Sequence, residues 1–235
     1  SGEASSGFTM EGYPHRAIFS MPFQGLTDKG IPTYLNEKGE LTSTDLDFQN
    51  RNSNGYLTYE GPTEPTITGS LGNEIKWKNW RLNVFLTYSF GSYVRLDRIF
   101  SAQYNDLTSM TKGFKNRWMQ AGDEETTSVP TILPYRSYAS DRNLRIAYNA
   151  YNYTSNRTAK GDFVRMKEIS LGYDFPKAML RSTPFTNLSL KLQATNLFLI
   201  YADKKLNGQD PEFVNAGGVA APIPRQFTMT LKFGL

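Results

Sequence analysis

The chain has 235 residues, of which 39% are hydrophobic and 14% aromatic, enough for one large all-β domain or two small ones. It contains no cysteine, which excludes disulfides, thiolate catalysis and cysteine zinc sites. The 26 basic and 22 acidic residues give a net charge of +4, but they are interspersed, without the basic stripe that binds nucleic acid. The longest apolar run in a strand-like segment, 197–202, is too short for a spanning helix of ~20 residues.

Six segments are predicted to be strands: 16–25, 66–77, 80–91, 162–175, 187–198 and 225–235. The first is interrupted by Pro22, whereas the last alternates apolar and polar residues from Phe227 to Leu235. A period of two residues is typical of a strand with one apolar face. These segments are longer than the ~5–6 residues of an average soluble strand and long enough for a tilted membrane strand of ~9–11 residues.

Short and long connections alternate along the chain. Residues 78–79 and 176–186 form short links, whereas 26–65, 92–161 and 199–224 are long. Compact soluble domains rarely carry such long connections, but outer-membrane barrels combine short periplasmic turns with longer extracellular loops. The pattern therefore predicts an all-β fold, an antiparallel transmembrane β-barrel segment of about six strands, with the three long loops extracellular and the C-terminus periplasmic.

Aromatic residues stand at both ends of segment 80–91, with aliphatic residues between them. Trp80 and Phe90 lie ~33 Å apart along an extended strand at ~3.3 Å per residue. A tilt of ~40° reduces this to ~25 Å, the height of the apolar band of a membrane barrel. Eight aromatic residues are predicted to lie at the two membrane interfaces: Trp77, Trp80, Tyr88, Phe90, Tyr173, Phe175, Phe227 and Phe233.

Two features depart from this pattern. Asn73 falls on the apolar face of its segment, and Arg165 and Lys167 share the parity of Ile169. Those two charges are placed above the membrane in this interpretation. A soluble β-sandwich whose inner faces end in aromatic residues remains the alternative at this point.

No catalytic constellation is found. His15 is the single histidine, and its position in a Tyr-Pro-His-Arg stretch favours a surface residue over a ligand or a member of a Ser-His-Asp triad. The acidic run 123–125 is interpreted as a solvated loop, with calcium binding as the alternative. The sequence thus predicts no enzyme, no cofactor and no metal site.

The long loop 92–161 is the candidate for recognition, because loops on a rigid scaffold carry function. Flat aromatic side chains with Arg and Asn neighbours suit sugar or peptide binding, and packing of the loop onto itself is the alternative for each of them. The candidate substrate-binding residues are Tyr104, Trp118, Tyr135 and Tyr138. A helix predicted over 104–120 would place Phe114 and Trp118 on one face, which favours a packing role for Trp118.

The last third of the chain carries a series of motifs. The stretch "DFVRMKEISLGYDFPKAML" (162–180) resembles the F-x-R-L-K-x-x-x-L-G-Y-x-x-P signature of SusC/RagA-type TonB-dependent outer-membrane transporters. Asn196, Leu197 and Phe198 match the family's G-x-N-L-F strand without its glycine, and "DPEF" (210–213) resembles its D-P-E loop. The final strand also resembles that of the family, except that it ends in Leu235 rather than Phe. Looser matches occur at 11–26 and 114–124, so the resemblance covers most of the chain.

This resemblance implies a 22-stranded barrel with an N-terminal plug and a TonB box. Neither the plug nor the TonB box is visible in this chain, which is therefore expected to be the C-terminal part of a larger transporter. The implied function is TonB-dependent uptake of glycans (oligosaccharides) or peptides across the outer membrane of a Gram-negative bacterium.

The implied partners are a SusD-like surface lipoprotein, the TonB-ExbB-ExbD complex acting through the N-terminal region, the remainder of the transporter, outer-membrane lipid, and the glycan or peptide substrate. Nucleic acid is not among them. Two other functions stay open: a soluble secreted carbohydrate-binding β-domain, and a passive porin or adhesin barrel.

Overall fold

The computed structural model describes residues 9–46, 57–100, 112–214 and 223–235. The strands are β1 (Ala17–Ser20), β2 (Phe23–Leu26), β3 (Pro32–Leu35), β4 (Leu41–Thr42), β5 (Thr58–Pro62), β6 (Ile67–Trp77), β7 (Trp80–Phe90), β8 (Tyr93–Arg95), β9 (Thr158–Lys160), β10 (Phe163–Asp174), β11 (Asn187–Ala202) and β12 (Gln226–Gly234). The α-helices are α1 (Tyr135–Ser140), α2 (Arg142–Tyr151) and α3 (Lys177–Leu180), and short 3-10 helices cover Lys112–Asn116, Asp123–Glu125, Ser155–Arg157 and Lys204–Leu206. No helix among the described residues combines the length and the apolar character needed to cross a membrane.

The elements form two compact units. The first unit holds β1 to β5, β8, β9, α1 and α2, and the second holds β6, β7, β10, β11, β12 and α3. In the second unit the five strands form one sheet in the order β12-β11-β10-β7-β6, and every neighbouring pair is antiparallel. The predicted all-β, antiparallel fold class is confirmed, and the described strands form an open sheet with β6 and β12 at its edges.

Residues 78–79 form the two-residue hairpin between β6 and β7. Lys78 has a φ of 53°, a conformation of the kind that two-residue hairpin turns require, and the Trp77–Trp80 pair closes the ladder. The turn is then tied to the end of β10, because the Asp174 backbone N–H donates to the Asn79 carbonyl at 2.9 Å. The Asn79 side-chain amide donates in return to the Asp174 carbonyl at 2.6 Å.

The five-stranded sheet has one apolar face and one polar face. Residues that are direct cross-strand partners share a face, and Leu82 of β7 is the partner of Ile75 on β6 and Leu171 on β10. On the opposite face Arg81 is the partner of Lys76 and Gly172. Asn73 is the partner of Val84 on the apolar face, as the sequence pattern predicts.

A β-bulge in β10 explains why Arg165 and Lys167 share the parity of apolar residues. The register with β7 shifts between Met166 and Glu168, so that Lys167 is an extra residue and the face of each side chain changes there. Met166 therefore joins the apolar face as the partner of Leu86, whereas Arg165 lies on the polar face as the partner of Thr87. Arg165 and Ile169 therefore lie on opposite faces although they share the same parity in the sequence, and the position of the two charges above the membrane stays a prediction.

The first predicted strand, 16–25, differs from the prediction. It is split into β1 and β2, which pair with β5 and β3 outside the five-stranded sheet. Pro22 separates the two, because proline has no backbone N–H to donate to a ladder. The segments predicted as loops, 26–65 and 92–161, contribute most of the first unit: β3, β4, β5, β8, β9, α1 and α2.

Tyrosine side chains form much of the core of the first unit. Tyr34 is fully buried in one cluster with Ala147, and Tyr148 and Tyr151 are fully buried in a second cluster. The Tyr34 hydroxyl donates to the Ala147 carbonyl at 2.6 Å and the Tyr148 hydroxyl to the Thr131 carbonyl at 2.9 Å, so the buried polar ends are satisfied. Burial raises the pKa of Tyr34 well above its usual value and that of Tyr151 to about 12, which keeps both rings neutral.

The helix predicted over 104–120 is only partly within the described residues. Residues 101–111, including Tyr104, Leu107 and Met110, lie outside them. Of the remainder, Lys112–Asn116 forms a 3-10 helix, and Arg117 enters an isolated β-bridge with Val129. Backbone pairing with the segment after the acidic run ends the helix before residue 120, so this part of the helix prediction is wrong.

Candidate functional site

The apolar face of the five-stranded sheet is open to its surroundings. Leu71 is 62% exposed, Met229 71% and Phe227 77%, and further exposed apolar residues of the sheet are Ile67, Ile75, Trp77, Trp80, Leu171, Leu192, Leu231 and Phe233. Most apolar side chains of a folded protein are covered by other parts of the chain. A continuous exposed apolar face of this size is a feature of a surface that contacts lipid or another protein.

Aromatic residues cluster near the β6–β7 hairpin. The rings of Trp80 and Tyr173 lie 4.5 Å apart and those of Tyr173 and Phe175 5.0 Å apart, measured between centroids. Trp77 is the cross-strand partner of Trp80. Phe233, two residues from the end of the chain, contacts Phe185 with a centroid distance of 5.4 Å.

At the other end of β7, Tyr88 and Phe90 are stacked with centroids 5.7 Å apart. Tyr88 also covers Gly69 of β6, where a Cβ atom would overlap its ring. Phe227 is near the beginning of β12 and contributes an exposed ring. The structure thus gathers Trp77, Trp80, Tyr173 and Phe175 near one hairpin and Tyr88 with Phe90 at the opposite end of β7, while their placement at membrane interfaces remains a prediction.

The polar face carries a buried ion cluster around Arg165. Nη2 of Arg165 lies 2.5 Å from Oδ1 and 2.6 Å from Oδ2 of Asp210, and 2.8 Å from Oε2 of Glu212. The Arg165 and Asp210 side chains are 7% and 9% exposed, while that of Glu212 is 39% exposed. The guanidinium also lies 5.5 Å from the centroid of the Phe163 ring. A buried cation of this kind requires paired charge, because its desolvation is costly.

Local sequence shapes the acidic partner before it meets Arg165. The Phe213 N–H donates to the Asp210 carbonyl at 3.0 Å, which makes residues 210–213 a β-turn with Asp at the first and Pro at the second position, as such turns prefer. The Asp210 carboxylate also accepts from the Glu212 N–H at 3.2 Å. The turn therefore presents both carboxylates to one guanidinium.

Comparisons with known proteins agree with the predicted resemblance. No family model matches the chain. The chain is 26% identical over 214 residues to TonB-dependent receptor P3 of Formosa agariphila, covering 90% of this chain and 19% of that receptor. It is 26% identical over 194 residues to TonB-dependent receptor P39 of the same organism, covering 77% of this chain and 17% of that receptor. The chain is similar in sequence to these two TonB-dependent receptors.

Solved structures show the same fold. The RagAB peptide transporter superposes with a TM-score of 0.66 at 20% identity over 97% of this chain and 23% of that chain. The RagAB peptide importer in its open-open state gives 0.62 at 19% identity over 95% and 23%. The chain thus spans about a fifth of the length of the TonB-dependent receptors it matches, and the resemblance to SusC/RagA-type TonB-dependent transporters is confirmed.

The motifs that indicate a TonB-dependent receptor converge at the Arg165 cluster. Arg165 comes from the first motif and Asp210 and Glu212 from the D-P-E loop. Asn196 of the N-L-F motif has a φ of 54° and lies in the bulged part of β11, where its pairing with β10 shifts. The order of the motifs along the sequence indicates the likeness to TonB-dependent receptors. The ion pair between Arg165 and Asp210, which are 45 residues apart, depends on the bulges of β10 and β11.

The structure describes only part of the group of loop residues predicted to bind substrate. Tyr104 lies outside the described residues, and Tyr135 and Tyr138 belong to α1. Trp118 donates its indole N–H to Oε2 of Glu124 at 2.8 Å. A Cβ atom on Gly30, whose φ is 71°, would stand 2.6 Å from its ring. These contacts favour the packing role of Trp118, and substrate binding by all four residues stays a prediction.

The carboxylates of the acidic run 123–125 accept hydrogen bonds from neighbouring residues of the same loop. The Asp123 carboxylate accepts from the backbone N–H groups of Met119 and Gln120 at 2.9 and 3.0 Å. The hydrogen bond from the Trp118 indole is the main cause that lowers the pKa of Glu124, which also accepts from the Gly122 N–H at 2.9 Å. No group of three or more acidic or histidine residues able to hold a metal is found among the described residues.

Arg95 is a buried cation that sequence reasoning missed. Its Nη2 donates to the Phe19 carbonyl at 2.7 Å, and Nη1 donates to Oγ of Ser20 at 3.1 Å and to the Thr154 carbonyl at 3.3 Å. Burial lowers its pKa to about 10, so the guanidinium stays charged at neutral pH and joins β1 to β8 and the turn after α2. A short alternating strand, "YVR", gives no signal for such a role.

Proposed function

We propose that this chain forms part of the barrel wall of an outer-membrane nutrient importer that depends on TonB. The five-stranded sheet crosses the outer membrane of a Gram-negative bacterium with its apolar face toward lipid and its polar face toward the interior. The C-terminus and the β6–β7 hairpin lie on the periplasmic side, and the long connections 26–65, 92–161 and 199–224 lie outside. The chain contributes wall and rim surfaces rather than the chemistry of an enzyme.

The two-faced sheet is the observation that carries this proposal. One face is apolar and exposed with aromatic residues near both ends, and the other is polar over the same strands. In an outer-membrane barrel the lipid-facing side is apolar between two aromatic girdles and the inner side is polar. Closure by further strands of the same protein would pair the open edges of β6 and β12, which is required within lipid.

Substrate and partners are proposed from the related proteins. The solved relatives are described as a peptide importer and a peptide transporter, and the sequence motifs are those of transporters that take up glycans or peptides. We therefore expect a glycan or a peptide as substrate and a SusD-like lipoprotein at the extracellular mouth. Energy would come from the TonB-ExbB-ExbD complex acting through an N-terminal plug.

The test is uptake by the full-length transporter in its host. Labelled oligosaccharides and peptides are offered to cells with intact TonB, to cells lacking TonB, and to cells lacking the neighbouring SusD-like protein. Accumulation that requires TonB, together with recovery of the protein in the outer-membrane fraction, supports the proposal. A soluble secreted protein would indicate a binding domain instead, and uptake that is independent of TonB would indicate a passive porin.

A further inference from the structure

We propose that Arg165 and the Asp210-Pro211-Glu212 turn form a latch that holds residues 209–214, the strap, on the polar face of the five-stranded sheet. Arg165 points to this face because the bulge at Lys167 changes the alternation of β10. The strap contributes both carboxylates, and Pro211 between them is buried. The strap has no strand pairing, and the ion pairs of Asp210 and Glu212 with Arg165 hold it against the sheet.

The latch depends on one atom. All three ion contacts, to Oδ1 and Oδ2 of Asp210 and to Oε2 of Glu212, are made by Nη2 of Arg165. Charge-assisted hydrogen bonds are stronger than neutral ones, and those of buried partners are costly to leave unmade. Loss of this guanidinium would remove every contact at once, so we expect the strap to be released as a unit rather than gradually.

The surroundings of Arg165 differ from the rest of the polar face. Ser89 and Phe163, which flank it on β7 and β10, are buried, whereas the Arg81–Asp174 pair near the hairpin is half exposed on both sides. The latch thus lies in a covered part of the polar face. If that face lines the interior of the barrel, which rests on the proposed function, the strap narrows the interior beside the wall.

Hydrogen exchange of the full-length transporter in detergent tests the latch without any need for transport. In Arg165→Gln the backbone N–H groups of Glu212 and Phe213 should exchange roughly 10- to 100-fold faster, as expected for the loss of charged hydrogen bonds. Glu212→Gln alters a more exposed group and should give a smaller increase in the exchange rate. This second variant still tests the latch if Arg165→Gln does not fold. Arg81→Gln removes an ion pair on the same face and serves as the matched control, with no change expected in the strap.

Unchanged exchange in both strap variants would overturn the latch, and so would an equal increase in Arg81→Gln. The double variant Arg165→Asp, Asp210→Arg reverses the ion pair and should partly restore slow hydrogen exchange in the strap. The narrowing of the barrel interior by the strap is tested by entry of a small hydrophilic dye into cells that have the transporter but lack TonB. Dye entry should be faster with Arg165→Gln than with the unchanged transporter. Faster exchange with unchanged dye entry would overturn the narrowing, while the uptake test decides the proposed function separately.

Discussion

At the scale of single residues, Trp118 makes two close contacts within its own loop region. Its ring lies against Gly30 and its indole N–H is bonded to Glu124. Gly30 has a φ of 71°, which costs an L-residue about 1–2 kcal/mol. The position therefore requires glycine for two reasons, backbone conformation and the close approach of the ring.

Gly30→Ala is expected to lower the free energy of unfolding by about 1–2 kcal/mol for the backbone and by a further ~1–3 kcal/mol for the overlap with Trp118. Gly39→Ala is the matched control, because Gly39 has a similar φ of 75° but no atom within 4 Å of an added Cβ. Urea unfolding followed by tryptophan fluorescence measures both. Equal losses in the two variants would show that the ring contact contributes nothing.

The bond between Trp118 and Glu124 predicts a pH effect. The hydrogen bond from the Trp118 indole holds the pKa of Glu124 below its usual value. The contribution of this bond to folding stability is therefore fully present above the pKa of Glu124 in the unfolded chain, ~4.3. It is lost as the pH falls through the lower pKa of Glu124 in the folded protein. The NMR signal of the Trp118 indole N–H should shift in this acidic range. Glu124→Gln should abolish that shift and Glu125→Gln should preserve it; a shift that persists in Glu124→Gln would contradict the assignment.

At the scale of elements, the bulges of β10 and β11 decide which side chains face which side. Asn196 adopts a φ of 54° within β11, a conformation that asparagine tolerates and β-branched residues do not. Such positions in strands re-aim neighbouring side chains. The sequence pattern shows that the alternation of β10 changes near Arg165, but the extra residues in the two strands become visible only in the register.

Asn196→Val should therefore destabilise the protein by about 1–3 kcal/mol, because valine is strained at positive φ, whereas Asn196→Gly should be nearly neutral. Asn83→Val replaces an asparagine of β7 that does not have positive φ and serves as the control, with a smaller effect expected. Urea unfolding of the full transporter in lipid provides the measurement. If valine is equally tolerated at both positions, the bulge does not depend on Asn196.

At the scale of the whole molecule, the two faces of the sheet predict opposite responses to a new charge. Met229 is on the apolar face and Thr228 on the polar face of the same strand, as their partners Leu192 and Gln193 indicate. Met229→Lys should cost about 2–4 kcal/mol if the face meets lipid at mid-depth, and Thr228→Lys should cost little. Yield in the outer membrane and urea unfolding in lipid measure this; similar behaviour of the two variants would place the apolar face away from lipid.

The sequence by itself determined the five long strands, their two faces, the short hairpin and the resemblance to TonB-dependent transporters. These properties follow from a period of two residues and from motifs, which are local in the chain. Only the tertiary structure decided that Arg165 meets Asp210 and Glu212, that 16–25 leaves the main sheet, and that the predicted loops build a tyrosine-rich core. Each of these depends on strand register and on packing between distant residues, and a one-residue bulge is enough to reverse the direction of a side chain.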